Sequence, residues 1–354
     1  MSKFSPATRR SLVAFAVALV LGLTCPVLAA DLEGAGSTFV APVMTRWAAA
    51  YKAKTGLEVA YQSVGSGAGI DKVKAGTVDF GATDKPLPSE DLALHGLSQF
   101  PIVVGGVTPV ANIPGVRAGQ LRFSGQLLAD IFLGKITAWD ASEVKALNPD
   151  VALPNLAISV VHRSDASGTT YNWVDFLAKA SPAWKEKVGT GLTVSWPTGK
   201  GGEGNAGVSA LVKRTPGALG YVEYSYAVQE GLAFGQVQNT YGLFVAPNTR
   251  SFQAAAATVR WRDHKDFDVL MTNAGGPTAY PITATTFILM PRSPRDPGRA
   301  AKALQFIKWA LEKGDRQASE LHYAALPPEL VVRVETYWKS SALPGIAPAQ
   351  EQRP

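Results

Sequence analysis

The first thirty residues of this 354-residue chain contain no acidic side chain. Lys3, Arg9 and Arg10 precede an unbroken apolar run over residues 12–21, and Val27-Leu28-Ala29-Ala30 offers small residues for cleavage. That layout predicts a secretory signal peptide over residues 1–30, because the run is too short to span a bilayer comfortably. No later stretch is long and apolar enough for a membrane helix, so the mature chain is expected to be soluble and exported. Cysteine is almost missing as well. Cys25, the only one, falls inside the predicted signal. Gly22 and Thr24 are poor residues ahead of a lipid-modified cysteine, which favours a free exported protein over a lipoprotein. A mature chain without cysteine excludes disulfides and thiolate metal sites. His95, His162, His264 and His322 form no i,i+4 pair, so a histidine metal site is not expected, and no cofactor is implied.

A strong charge of one sign is also lacking. The chain carries 34 basic and 28 acidic residues, and three of the basic ones lie in the signal. The mature protein is therefore nearly balanced, which gives a nucleic-acid partner little support. Its length exceeds a single typical core, so two domains are the default.

Short apolar strands alternate with amphipathic helices, the pattern of an α/β protein with covered sheets. Val43, Trp47, Ala50 and Tyr51 share one helical face, Pro42 suits the first turn, and Gly56 marks the end. Strands are predicted at 57–62, 78–82, 101–110, 158–161 and 281–290, with helices at 70–75, 170–179 and 300–311. No internal repeat is visible. Past Ser340 the Pro- and Gln-rich tail predicts a flexible end.

Three segments place glycine and small or hydroxyl residues where a helix begins: Gly34-Ala35-Gly36-Ser37-Thr38-Phe39, Gly65-Ser66-Gly67-Ala68-Gly69 and Asp165-Ala166-Ser167-Gly168-Thr169-Thr170. A helix start exposes unpaired N–H groups and the positive end of the macrodipole, and glycine lets an anion approach the backbone. Singly, each is an ordinary cap. Converging, they would form a nest of neutral donors for a tetrahedral oxyanion. Arg163, at a strand end, would add a charge-assisted contact, or else pair with Asp165, or both. Asp84 also ends an apolar strand. Beside an anion a carboxylate is useful only if the ligand brings a proton to donate, as partly protonated phosphate does and sulfate near neutral pH does not.

Gly34–Pro42, Val78–Asp84, Gly134–Trp139, Arg163–Thr169, Gly220–Tyr224 and Pro281–Leu289, in that order along nearly the whole mature chain, resemble the periplasmic phosphate-binding protein of the high-affinity phosphate ABC transporter. The resemblance implies an α/β periplasmic-binding-protein fold: two lobes joined by two chain crossings, with the ligand cleft between them. The lobes would be residues 31–104 plus 281–340, and 105–280, with 341–354 as tail. Crossings are expected near 101–106 and 280–285. By the same resemblance Thr38, Phe39 (through its N–H), Ser66, Arg163, Ser167, Gly168 and Thr169 would donate to phosphate, Asp84 would accept its proton, and Asp165 would support Arg163. Two departures stand out: Gly67-Ala68-Gly69 where another serine is frequent, and Thr83 before Asp84 where serine is common. The implied partners are inorganic phosphate and permease subunits, and the implied state is a periplasmic monomer.

Rival readings have less behind them. A phosphatase-like hydrolase would need a serine with a histidine base, but there is no G-x-S-x-G elbow, and only His162 adjoins a proposed ligand. A metal phosphatase would need clustered His and Asp. A receptor for sulfate or molybdate conflicts with Asp84. A sugar receptor would use aromatic platforms, whereas Trp47, Trp173 and Trp309 read as helix cores. Gly199-Lys200-Gly201-Gly202-Glu203-Gly204 fits G-x-G-x-x-G, but follows Trp196-Pro197 and reads as a mobile loop before a helix.

Overall fold

The computed structural model describes residues 30–341 and Leu343. Residues 1–29 of the predicted signal peptide, with Cys25, and all the tail from residue 344 lie outside the described residues. Leu343 is itself buried, so packing continues past the expected end of order at Ser340.

The main sheet has nine strands: β1 (Leu32–Gly36), β2 (Val59–Ser63), β3 (Phe80–Thr83), β4 (Leu97–Ala111), β5 (Ser159–Arg163), β6 (Lys200–Gly202), β7 (Ala218–Glu223), β8 (Ala233–Phe234) and β9 (Thr283–Pro291). Their order is β2-β1-β3-β9-β4-β7-β5-β6, with β8 on β4. β1 runs parallel to β2 and β3, and β5 parallel to β6 and β7. Parallel neighbours need crossover helices, and these supply the site. They are α1 (Ala41–Thr55), α2 (Ser66–Lys74), α3 (Gly168–Ala180) and α4 (Gly204–Arg214), with α5 (Pro297–Lys313) packed over the first half.

β4 is buried along all fifteen residues and belongs to both halves of the sheet. From Leu97 to Gly106 it pairs with β9, and from Val107 to Ala111 with β7. The chain returns beside this point, where the Val107 N–H donates to the Ile282 carbonyl at 2.9 Å. The protein is thus two α/β lobes strung on one shared strand.

Each lobe has its own aromatic anchors. In the first, Trp47 on α1 donates from Nε1 to the Gly314 carbonyl, and Tyr51 meets Phe306 of α5 edge-on. α1 stops at Gly56, whose φ of 78° is the left-handed cap glycine adopts readily. In the second, Trp173 of α3 stacks on Tyr221 of β7 with centroids 4.8 Å apart. Both rings are fully buried, and truncating such an aromatic costs about 3–5 kcal/mol.

Sequence and structure differ at Gly199–Gly204. The expected mobile loop is instead the edge strand β6, paired parallel with β5, and α4 starts at once at Gly204. Among the described residues no helix is long and apolar enough to cross a membrane.

Candidate functional site

The three helix-start segments converge between the lobes. β1 delivers Ser37, Thr38 and Phe39 to the mouth of α1, β2 delivers Gly65 and Ser66 to α2, and β5 delivers Arg163 and the loop opening α3. Gly65 has φ 88°, and a Cβ there would lie 2.6 Å from Asp165 Oδ2. Glycine is therefore required both by the backbone turn and by the approach of the other lobe. A Cβ on Gly168 would lie 2.4 Å from Ser66 Oγ and 2.6 Å from Asp84 Oδ2. The lobes are closed on one another. Gly67 donates to the Ala166 carbonyl at 2.9 Å, and Asn172 Nδ2 to the Asp84 carbonyl at 2.8 Å.

Arg163 is 3% exposed at the end of β5. Its Nε donates to Asp165 Oδ1 at 2.7 Å and its Nη2 to Asp165 Oδ2, so both expectations for it, anion contact and Asp165 pairing, stay compatible. Nη1 is buried and, among the described residues, without a partner. A charged N–H left unpaired in the interior is costly unless something occupies it. Asp165 also accepts the Gly204 N–H at 3.0 Å. Burial opposes its ionisation, but Arg163 and that N–H outweigh it and hold its pKa below the ordinary value.

Asp84 is 1% exposed. Its Oδ2 accepts from the Ser37 hydroxyl at 2.6 Å and its Oδ1 from Thr286 Oγ1 at 2.7 Å, while its N–H donates to Ser66 Oγ at 3.2 Å. Burial pushes its pKa up to about 6, against the pull of the Ser37 and Thr286 hydroxyls, the Arg163 charge and Ser66.

Other hydroxyls of the helix-start loops are oriented by acceptance. Thr38 Oγ1 accepts from Asn205 Nδ2 at 2.8 Å, and Thr169 Oγ1 from the same amide at 3.3 Å. Ser167 Oγ caps α3 by accepting the Thr170 N–H at 3.0 Å. Each hydroxyl keeps its own proton to donate. Among the described residues the Gly168 and Thr169 N–H groups, in the first turn of α3, have no partner. The Phe39 N–H, expected as a ligand donor, donates to the Ser37 hydroxyl at 3.0 Å.

Sequence reasoning did not single out Ser37, Asn172, Asn205, Glu223 and Thr286. Ser37, Glu223 and Thr286 lie within motifs that carried the resemblance, which was the available signal. Glu223 is fully buried with Oε1 unpaired, and its Oε2 accepts from the Ser225 N–H and sits 2.9 Å from the Tyr323 hydroxyl. Burial pushes its pKa well above the carboxylate range.

A pocket of about 230 Å³ opens at the cleft mouth, lined by Thr38, Asp165, Asn205 and Tyr226 among others. A larger one of about 450 Å³ lies elsewhere, but Asp79 and Arg299 on its wall are already paired, so size does not locate the site. His162 stacks on Trp196 and shares a 3.0 Å contact between Nδ1 and the Arg163 carbonyl. Among the described residues its ring makes no hydrogen bond to a serine. Among the described residues no three His, Cys, Asp or Glu are grouped to hold a metal.

The chain is similar in sequence to curated proteins and in fold to solved structures. A phosphate-binding protein PstS from Xylella fastidiosa is 49% identical over 309 residues, covering 87% of this chain and 85% of its own. One from Haemophilus influenzae is 44% identical over 322 residues, covering 91% and 96%. A phosphate-bound structure of a high-affinity periplasmic phosphate-binding protein superposes with a TM-score of 0.69 at 19% identity, covering 86% of this chain and 93% of that one. A phosphate-binding protein from Stenotrophomonas maltophilia gives 0.66 at 19%, covering 86% and 93%.

Two α/β lobes meeting at a cleft give this chain the periplasmic-binding-protein fold of these structures. A family model described as a PBP superfamily domain matches residues 26–313. The chain belongs to that superfamily and, within it, to the family of the phosphate-binding proteins PstS. The family is one of substrate-binding proteins and not of enzymes.

Proposed function

We propose that this chain is an exported receptor that captures one inorganic phosphate between its lobes and delivers it to the permease of an ABC transporter. The observation carrying this reading is the unpartnered Nη1 of buried Arg163, set in the same cleft as a buried carboxylate. One cation among neutral donors suits an anion, and the carboxylate suits an anion that keeps a proton. Family membership supports the same ligand.

In this reading Arg163 Nη1, the hydroxyls of Thr38, Ser66, Ser167 and Thr169, and the N–H groups of Phe39, Gly168 and Thr169 donate to phosphate oxygens. Asp84 accepts the P–OH. Sulfate, with no proton to give, would face a like charge and leave a buried acceptor unsatisfied. Asp165 fixes the guanidinium plane, and Asn205 turns the two threonine hydroxyls outward.

We assign one lobe to residues 31–104 and 281–340 and the other to 105–280, a division supported by the change of partner along β4 at Gly106 and Val107. The N-terminal sequence supports cleavage of a signal peptide and periplasmic residence. A monomer acting without a nucleic-acid partner completes the proposal. Isothermal titration of the mature protein with phosphate, sulfate and a phosphate monoester tests it. One-to-one binding of phosphate alone is expected, and saturable hydrolysis of the ester or preference for sulfate would overturn it.

A further inference from the structure

The Ser37 hydroxyl has the hydrogen-bond pattern that a protonated phosphate oxygen would have. It accepts the Phe39 N–H at 3.0 Å and donates to Asp84 Oδ2 at 2.6 Å. Those are the two groups assigned above to an oxygen of the ligand and to its proton. A backbone N–H carries a single hydrogen, so Phe39 does not serve Ser37 and phosphate fully at once. The carboxylate has spare lone pairs, but its other oxygen already accepts from Thr286.

The Ser37 backbone is fixed on both sides. Its N–H donates to the Ala82 carbonyl at 2.8 Å, and its carbonyl accepts the Tyr61 hydroxyl at 2.8 Å. Only the side-chain torsion is left to move the hydroxyl, and the residue is 1% exposed.

We infer that the Ser37 hydroxyl is a built-in stand-in for the ligand's P–OH, occupying the position between Phe39 and Asp84 in the empty protein and rotating away when phosphate enters. This inference deepens the proposed function and rests on it. The hydroxyl keeps a buried carboxylate and a buried N–H satisfied while the cleft is unliganded. It thereby stabilises the empty state and competes with phosphate. Ser37 is a residue that tunes affinity, distinct from those that hold the ligand.

The test is titration of mature, anion-stripped wild type and Ser37→Ala with inorganic phosphate, together with melting temperatures with and without phosphate. The variant is expected to bind about tenfold more tightly, the equivalent of one net hydrogen bond to a charged group. It should melt lower than wild type when empty and close to wild type when saturated, so its phosphate-induced shift is larger. A merely structural serine would lower both melting temperatures and leave affinity unchanged or weaker, and that result overturns the inference while the receptor function stands. If wild type fails to bind phosphate, the function and this inference fall together. Should Ser37→Ala not fold, Ser37→Cys keeps the size with a poor donor, and it too must bind phosphate more tightly than wild type for the inference to survive.

Discussion

Asp165 meets Arg163 side-on, taking Nε and Nη2 and leaving Nη1 as the one guanidinium nitrogen without a partner. The pair thus divides the guanidinium into an edge held by Asp165 and a corner left unpaired among the described residues. Arg163→Ala is expected to weaken phosphate binding by about 1.5–3 kcal/mol, or roughly 10- to 150-fold, as a charge-assisted contact is lost and Asp165 is left unpaired. Calorimetry at fixed ionic strength reads this directly. Unchanged affinity places Arg163 outside the site.

Asp84→Asn nearly keeps the shape while removing the charge and adding N–H donors. The amide can accept the ligand's proton through its oxygen, so phosphate binding should change little, whereas sulfate no longer faces a carboxylate and should gain. A site that recognises a proton discriminates by roughly four to five orders of magnitude. Titration of both proteins with both anions at one ionic strength decides it. An unchanged sulfate-to-phosphate ratio removes Asp84 as the selectivity device.

The same carboxyl makes the empty protein sensitive to pH. Its ordinary value is 3.8, and the folded protein holds it at about 6. Between these, the folded state keeps a proton that the unfolded chain has released, so this group's contribution to stability declines as pH rises through the window. The slope is about 1.4 kcal/mol per pH unit. Asp84→Asn lacks this term and should gain on wild type from acid to neutral pH in urea unfolding of anion-free protein. A gap independent of pH contradicts the assignment.

Gly168→Ala places a Cβ against Ser66 and Asp84 across the cleft. Overpacking of this kind costs about 1–3 kcal/mol, and here it opposes closure. Phosphate affinity should drop by about tenfold or more, with little change in the melting temperature of the empty protein. Normal affinity would show that the lobes close less tightly than the structure has them.

Asp84, Arg163 and the three helix-start loops were legible in the sequence because each signal is local: a polar residue closing an apolar strand, or glycine and hydroxyls before a helical period. The residues that orient them were not. Asn205 reaches Thr38 across 167 positions, and Thr286 reaches Asp84 across 202. Such pairs are made by strand order and by the register shift between Thr286 and Phe287, neither of which leaves a periodic trace. β6 escaped for a different reason. Lys200-Gly201-Gly202 has no apolar alternation to read, and it is a strand because its backbone pairs with β5. The missing side chain at Gly202 lets α4 pack close, where a Cβ would lie 2.7 Å from the backbone of Gly207 and Val208.

Since β4 runs unbroken from one lobe into the other, movement of either lobe loads a continuous ribbon as a torque loads a torsion bar. Gly105 and Gly106 lie where that bar changes neighbours. A Cβ on Gly105 would press into the Phe39 ring at 2.8 Å, and one on Gly106 into the Phe252 ring at 2.3 Å. The aromatic whose backbone edges the cleft is therefore seated on the spring itself. Any relative twist of the two lobes would therefore act first on the packing of these two rings against the strand.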